Sequence, residues 1–219
     1  MATAKVRRIK PYSGYTKDTP DKLLLDAGAF FKNFVVGTDT YKSAKAAGKC
    51  LGATIKGGEF SAKPNIRRME LDGVKTRTVG DTLYDGWETY IKANLAEMTS
   101  DNLIAALGSA DKVTVAEIEG YDKITGRETL LPSDYISNIT WIGNILGEDK
   151  PIIIQIFNGL NENGLTLAVE DKNNSTVEVQ FYGNLDSDVY DDPEKGIVPP
   201  FAIYRPTETT EAKTKTTTN

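Results

Sequence analysis

Alternating apolar and polar residues along several stretches of the chain predict half-buried β-strands. The clearest stretch covers 87–96, where Trp87, Ile91 and Leu95 fall on one face of the alternation. The same period of two recurs over 177–182, with shorter pieces at 165–169 and 113–118. A dense apolar run at 152–157 predicts a strand that is covered on both faces.

Pairs of residues that tolerate a positive φ separate these strands. Asp72-Gly73 lies between 60–71 and 79–95, which predicts a long hairpin with its turn at this pair. Asn173-Asn174 is expected to join strands at 164–170 and 176–182 into a second hairpin. A last strand is expected over 197–204.

One helix is predicted after the long central strand. Capping side chains occupy 99–101, an apolar stripe follows, and Gly108 ends the helix. A second helix over 41–49 and a flexible loop are equally compatible with the sequence, because Gly48 and several lysines interrupt the pattern. The whole segment 38–58 is too long for an ordinary hairpin loop, so we expect a basic projection with a function.

The chain is therefore predicted to be mainly β, with three parts. Residues 1–21 form a basic N-terminal arm, 22–205 a β-domain, and 206–219 a flexible tail of Thr, Glu, Lys and Ala with too little apolar area to fold. No apolar stretch approaches the ~20 residues of a membrane helix, so no membrane span is expected. No secretory signal is evident, and synthesis in the cytoplasm is expected.

Composition excludes several kinds of catalytic site. The chain has no histidine, and Cys50 is its only cysteine, which excludes Ser–His and Cys–His nucleophile pairs and any intrachain disulfide. The net charge of −5 combines a basic arm with an acidic body. An acidic body repels nucleic acid, whereas a basic arm is suited either to DNA or to a copy of the same body.

Three segments of the chain are LLLDAGAFFKNF at 23–34, LGATIKGGEF at 51–60 and IRRMELDGVKTRTVGDTLYDGWETYIKANLAEMT at 66–99, and the predicted short helix follows them. In type and order they resemble the major tail tube proteins of long, flexible-tailed bacteriophages. The resemblance covers roughly residues 22–108.

This resemblance implies a β-sandwich or barrel-like tail tube fold with one flanking helix and extended arms. It further implies hexameric rings that stack into a hollow tube, through which the phage genome passes without specific binding. The implied partners are copies of the chain and the tape measure, tail terminator and distal tail proteins of a virion. No enzymatic activity, cofactor or metal is implied.

Two sets of charged residues are candidates for roles in such a tube. Basic residues in the arm and in the 38–58 segment are candidate contacts between rings: Arg7, Arg8, Lys10, Lys42, Lys45, Lys49 and Lys56. Acidic residues that would keep DNA from adhering to the lumen are Asp81, Asp85, Glu88, Asp186 and Asp188.

Two other functions remain open from the residues alone. The acidic run at 186–194 is compatible with a carbohydrate- or receptor-binding β-sandwich that holds a cation, although it lacks the full calcium-loop spacing. Carboxylates near the central strand, including Glu97, are compatible with a hydrolase that uses acids alone. A tube subunit differs from both by assembling without ligand or metal.

Overall fold

The computed structural model describes residues 12–114, 118–167, 175–192, 194 and 196–207. Within them the chain forms two α-helices, α1 (Tyr41–Ala46) and α2 (Ser100–Leu107). The strands are β1 (Leu24–Lys32), β2 (Thr54–Arg68), β3 (Thr82–Leu95), β4 (Ala110–Thr114), β5 (Asp122–Gly126), β6 (Ile136–Ile145), β7 (Ile152–Asn161), β8 (Val177–Tyr182) and β9 (Phe201–Tyr204).

Seven strands form one antiparallel sheet, in the order β1-β6-β7-β8-β3-β2, with β9 also beside β7. Strand β7 pairs with β6 along one edge and divides its other edge between β9 at 153–156 and β8 at 160–161. Because β7 changes partner, the sheet curls into two halves. The predicted mainly β, sandwich- or barrel-like fold is confirmed.

The main core lies between the two halves of the curled sheet. Strands β1, β6 and β7 contribute Phe30, Ile139 and Ile156, and these pack with Ile91 and Phe181 from β3 and β8. The alternation predicted for 87–96 and 177–182 is confirmed, since every second residue from 89 to 95 and from 177 to 181 is buried.

Helix α2 forms as predicted and is tied to the sheet by a buried asparagine. Thr99 caps it by accepting a hydrogen bond from the backbone N–H of Asn102 at 3.2 Å, and Gly108 ends it at φ +75°. The Asn102 amide donates to the carbonyl oxygens of Leu51 and Glu97 at 2.8 and 2.9 Å. The helix therefore fastens the chain before β2 to the end of β3.

The 38–58 segment is folded onto the domain, so the prediction of a projecting basic loop is wrong. Residues 41–46 form α1, which is capped by Thr40, and Ala44 is buried in a second apolar cluster with Phe31 and Phe34. The chain then returns to β1, where Leu51 donates a backbone hydrogen bond to Phe30. Apolar contacts to Phe31 outweigh the breaking effect of the lysines and Gly48.

The long hairpin of β2 and β3 is confirmed, but its turn is not the predicted two-residue pair. The strands separate at Met69 and Asp81, where the Met69 N–H donates to the Asp81 carbonyl oxygen. Asp72-Gly73 forms a local turn inside this longer connection, with Gly73 at φ +82°.

Other predicted elements are only partly described. The second hairpin is visible as a bridge between Leu167 and Val177, and its predicted turn lies outside the described residues. β9 is shorter than the predicted 197–204 strand, because Pro199 and Pro200 lack the N–H that a strand ladder needs. Among the described residues, no helix is long and apolar enough to cross a membrane.

Candidate self-assembly surface

Two sheet edges, β1 and β2, have no strand partner on their outer side within the described residues. β1 pairs with β6 on its inner side, and only its end, at 30–32, is covered by backbone bonds from 49–51. β2 pairs with β3 alone. The backbone groups of these outer edges are templates for another chain.

The free part of β1 exposes apolar side chains beside its open backbone. Leu23, Leu24 and Leu25 are 48%, 53% and 38% exposed, although they belong to or adjoin a strand. Leu146 donates its N–H to the Leu23 carbonyl oxygen at 3.1 Å, so residue 23 faces β6. By strand alternation, the backbone N–H of Leu24 points to the open side.

A bulge shapes the free edge of β1 and is fixed from β6. The register shifts between Leu25 and Ala29, with Gly28 at φ +66°. The Trp141 indole N–H donates to the Ala27 carbonyl oxygen, and a Cβ on Gly28 would lie 2.4 Å from that indole nitrogen. The position therefore requires glycine, and the tryptophan holds the edge in one shape.

A small apolar cleft separates the two edges. It has a volume of about 160 Å³ and is lined by Leu24, Phe30, Phe60 and Trp141, among others. Strand β2 approaches β1 here only because Gly58 has no side chain, since its Cβ would lie 2.5 Å from Phe30. The sheet halves therefore come close at this point without closing a hydrogen-bonded barrel in the described residues.

The outer edge of β2 is long but interrupted. It runs for 15 residues and carries register shifts at 54–58 and 65–66, with Lys56 at φ +64° in the first. Pro64 lies opposite Trp87 and can donate no ladder hydrogen bond. Such features restrict pairing to selected stretches of an edge.

The far ends of β2 and β3 extend beyond β8 and expose more apolar area. Ile66, Leu83 and Tyr84 are at least about a third exposed. Two ion pairs stiffen this projection: Arg67–Asp85 at 3.1 Å and Arg68–Asp81 at 2.9 Å.

Asp81 is a structural residue of the hairpin. It is only 6% exposed and accepts a hydrogen bond from the Thr78 backbone N–H at 3.1 Å in addition to its Arg68 contact. The Thr78 hydrogen bond, and after it the one from Arg68, hold the pKa of Asp81 below its ordinary value. Asp81 is therefore buried and paired within the hairpin that it helps to close, and its assignment to a lumen stays a prediction.

The other acidic candidates lie on two different segments. Asp85 is paired with Arg67, and Glu88 is exposed on β3 opposite Lys63. Asp186 and Asp188 belong to a turn after β8, where Asp186 accepts a hydrogen bond from the Asp188 N–H. The assignment of these four residues to a lumen stays a prediction.

The outward face of β2, β3 and β8 is polar with balanced charge. Tyr90 donates a 2.7 Å hydrogen bond to Glu59, which raises the pKa of the tyrosine hydroxyl. Lys92 pairs with Glu178 at 2.8 Å, and the hydrogen bond between them raises the pKa of the lysine. This face is therefore not a strongly acidic wall.

The basic candidates are distributed between described and undescribed parts. Lys42 and Lys45 are exposed on α1, and Lys56 is exposed in the β2 bulge. Lys49 forms a 2.5 Å ion pair with Asp39, which lowers the pKa of that carboxyl, so it stabilises the domain locally. The arm residues Arg7, Arg8 and Lys10 lie outside the described residues.

Two features of this surface were not predicted from the sequence. The Trp141 contact with Ala27 joins residues 114 positions apart. The only local signal for an irregular strand is the glycine of the Asp26-Ala27-Gly28 segment. The second feature is a groove beside the 184–190 turn, lined by Leu131 and Tyr190 among others. Its lining residues come from separate stretches of the chain, so no local sequence pattern predicts it.

No protein-family model matches the chain, and no curated protein matches it.

Proposed function

We propose that this chain is a structural subunit that assembles with its own copies into rings, and that the rings stack into a hollow tube of the phage-tail kind. The observation that carries the proposal is the open sheet, whose two terminal strands, β1 and β2, keep unpaired outer edges in the described residues. Pairing the β1 edge of one copy with the β2 edge of the next would satisfy both.

The exposed apolar residues support this proposal. Leu24 and Leu25 on β1, and Ile66 and Leu83 on the hairpin, lie on or beside the open strands. Exposed leucines beside an unpaired backbone edge are unfavourable in a monomer, because they promote uncontrolled strand pairing with other chains. A closed ring would bury them.

Six subunits per ring, passage of a genome through the tube, and location in a virion come from the sequence resemblance and belong to the same proposal. The acidic balance of the body supports the lumen role, since like charges keep a polyanion from adhering. The cation-dependent binding module receives no such support: the described residues hold no group of three metal-ligating side chains suitable for an ion.

Electron microscopy of the purified full chain at high concentration, with no ligand or metal added, tests the proposal. We expect rings of uniform diameter and short stacked tubes. A population that stays monomeric at the highest attainable concentration would contradict the proposal.

A further inference from the structure

Two Asn-Gly pairs lie close together in the chain, at 158–159 and 163–164. Asparagine is one of the thermally labile residues of proteins. The backbone nitrogen of the next residue can attack its side-chain amide carbon, and this attack is least hindered where that residue is glycine, which has no side chain. Because the two pairs have the same local sequence, a difference in their reactivity must come from the fold.

The first pair is held in strand β7. Asn158 is half-buried, and its side-chain amide donates a 3.3 Å hydrogen bond to the Asn184 carbonyl oxygen. The Asn158 carbonyl oxygen accepts a 2.9 Å bond from the Asn184 amide. Gly159 is buried, and a Cβ there would lie 2.9 Å from the Ile139 side chain. The groups that would have to rotate are therefore fixed, and reaction at this pair requires β7 to open locally.

The second pair lies in the connection that follows β7. Asn163 is exposed, and neither its side chain nor the Gly164 N–H has a hydrogen-bond partner among the described residues. Gly164 has φ +69°, and no heavy atom lies within 4 Å of the position that a Cβ would take. The amide carbon of Asn163 and the backbone nitrogen of Gly164 are therefore accessible and can rotate towards each other.

We infer that Asn163 is a site of spontaneous covalent modification through a succinimide. The Gly164 nitrogen loses its proton to solvent and bonds to the Asn163 side-chain carbon, whose bond to the amide nitrogen breaks, so that ammonia leaves. Water then opens the ring. Opening at the side-chain carbonyl gives aspartate, whereas opening at the backbone carbonyl gives isoaspartate, in which the chain continues through the side chain. Water is the only reactant consumed.

The modified bond lies beside a buried hydrogen-bond cluster centred on Asn161, which is 4% exposed. Its side chain accepts a bond from the Asn163 N–H and donates one to the Gly164 carbonyl oxygen, both at 3.3 Å. It also donates to the Ala106 carbonyl oxygen in α2 at 2.5 Å and accepts from the Gln180 N–H in β8 at 3.4 Å. Isoaspartate lengthens the backbone within this loop by one carbon, so it breaks the loop contacts of Asn161 and loosens its hold on α2 and β8.

Peptide mass spectrometry of the full chain, incubated under native conditions, tests the inference. A protease that cuts after Glu162 places Asn158 and Asn163 in separate peptides. We expect the Asn163 peptide to exchange its amide for a carboxyl group at least about tenfold faster than the Asn158 peptide. Its rate should rise with pH, because the attacking nitrogen must lose a proton. In denaturant, where the fold no longer protects Asn158, the two rates should converge.

Two variants separate the chemistry from its effect on stability. Asn163→Gln keeps an amide but would have to close a larger ring, so it should remain unmodified and should unfold alike when fresh and when aged. Asn163→Asp carries the new charge on a normal backbone and should unfold close to the fresh native chain. The aged native chain, which contains isoaspartate, should unfold at a lower denaturant concentration than all three of these samples.

Equal rates for the two peptides in the native protein would overturn the inference, because the fold would then not select Asn163. Isoaspartate-containing chains that unfold like fresh ones would overturn the effect on the Asn161 cluster. The inference goes beyond the proposed function, since it concerns the covalent state of a single chain. A protein that stays monomeric in electron microscopy would contradict the tube and would still allow both measurements.

Discussion

The indole N–H of Trp141 donates a hydrogen bond of 2.8 Å to the carbonyl oxygen of Ala27, across the β1–β6 pair. This bond holds the bulge that shapes the open edge of β1. The shape of the proposed assembly edge therefore depends on a residue of the neighbouring strand.

Removing the Trp141–Ala27 hydrogen bond should lower the stability of the fold slightly and should impair assembly more strongly. We expect Trp141→Phe to lower the free energy of unfolding by about 1 kcal/mol, the typical value of one hydrogen bond. Gly28→Ala should cost more, about 2 kcal/mol or above, because it combines a positive φ with overlap against the indole. Denaturant unfolding of both variants measures the difference, and equal costs would contradict this account of the bulge.

The buried amide of Asn102 should be a larger contributor to stability. Asn102→Ala leaves the carbonyl oxygens of Leu51 and Glu97 without their donor, which should cost about 2 kcal/mol. Asn144→Ala, at an exposed position of β6, is the control and should change stability by less than about 0.5 kcal/mol. If the two variants unfold alike, α2 is not fastened through this side chain.

Asp81 should make the stability of the hairpin depend on pH. Its pKa is depressed in the folded state, so its contribution is present above the unfolded value, near 3.8, and is lost as the pH falls through the lower folded value. Asp81→Asn should be less stable than the native chain above pH 4 and should lose less stability on acidification. Thermal unfolding across this range measures the effect, and parallel pH profiles for the two proteins would refute the assignment.

The sequence predicted those elements whose burial pattern is local. The alternation from Trp87 to Leu95 and the capped helix before Gly108 need only neighbouring residues to be recognised, and both are confirmed. The 38–58 segment was mispredicted because its order comes from contacts with Phe31 and Phe34, which no local pattern encodes. Likewise, Asp81 resembled a solvent-facing acid until its partner Arg68 was placed across the hairpin.

The candidate surface was harder to predict from the sequence than the fold was. An unpaired edge depends on the topology of the whole sheet. Strand β1 pairs with β6, which lies far along the chain, and no described strand pairs with its other side. Leu23, Leu24 and Leu25 resemble core residues in the sequence, and their exposure is apparent only in the folded chain.

A proline at the open edge should separate assembly from folding. Leu24→Pro removes an outward-facing N–H and leaves the bonds to β6 in place, so the monomer should fold while rings fail to form. Leu24→Ala keeps the N–H and serves as the control for loss of the side chain. Sedimentation velocity compares the two proteins, and rings formed by Leu24→Pro would show that this edge is not used.

Hydrogen exchange of the β1 edge as a function of protein concentration tests the central claim most directly. In dilute solution, backbone amides that point outward at 24–28 should exchange rapidly, because they have no partner in the described chain. In concentrated, assembled protein they should become protected together with stretches of β2. Assembled particles whose β1 and β2 edges still exchange at the dilute rate would contradict edge pairing as the basis of assembly.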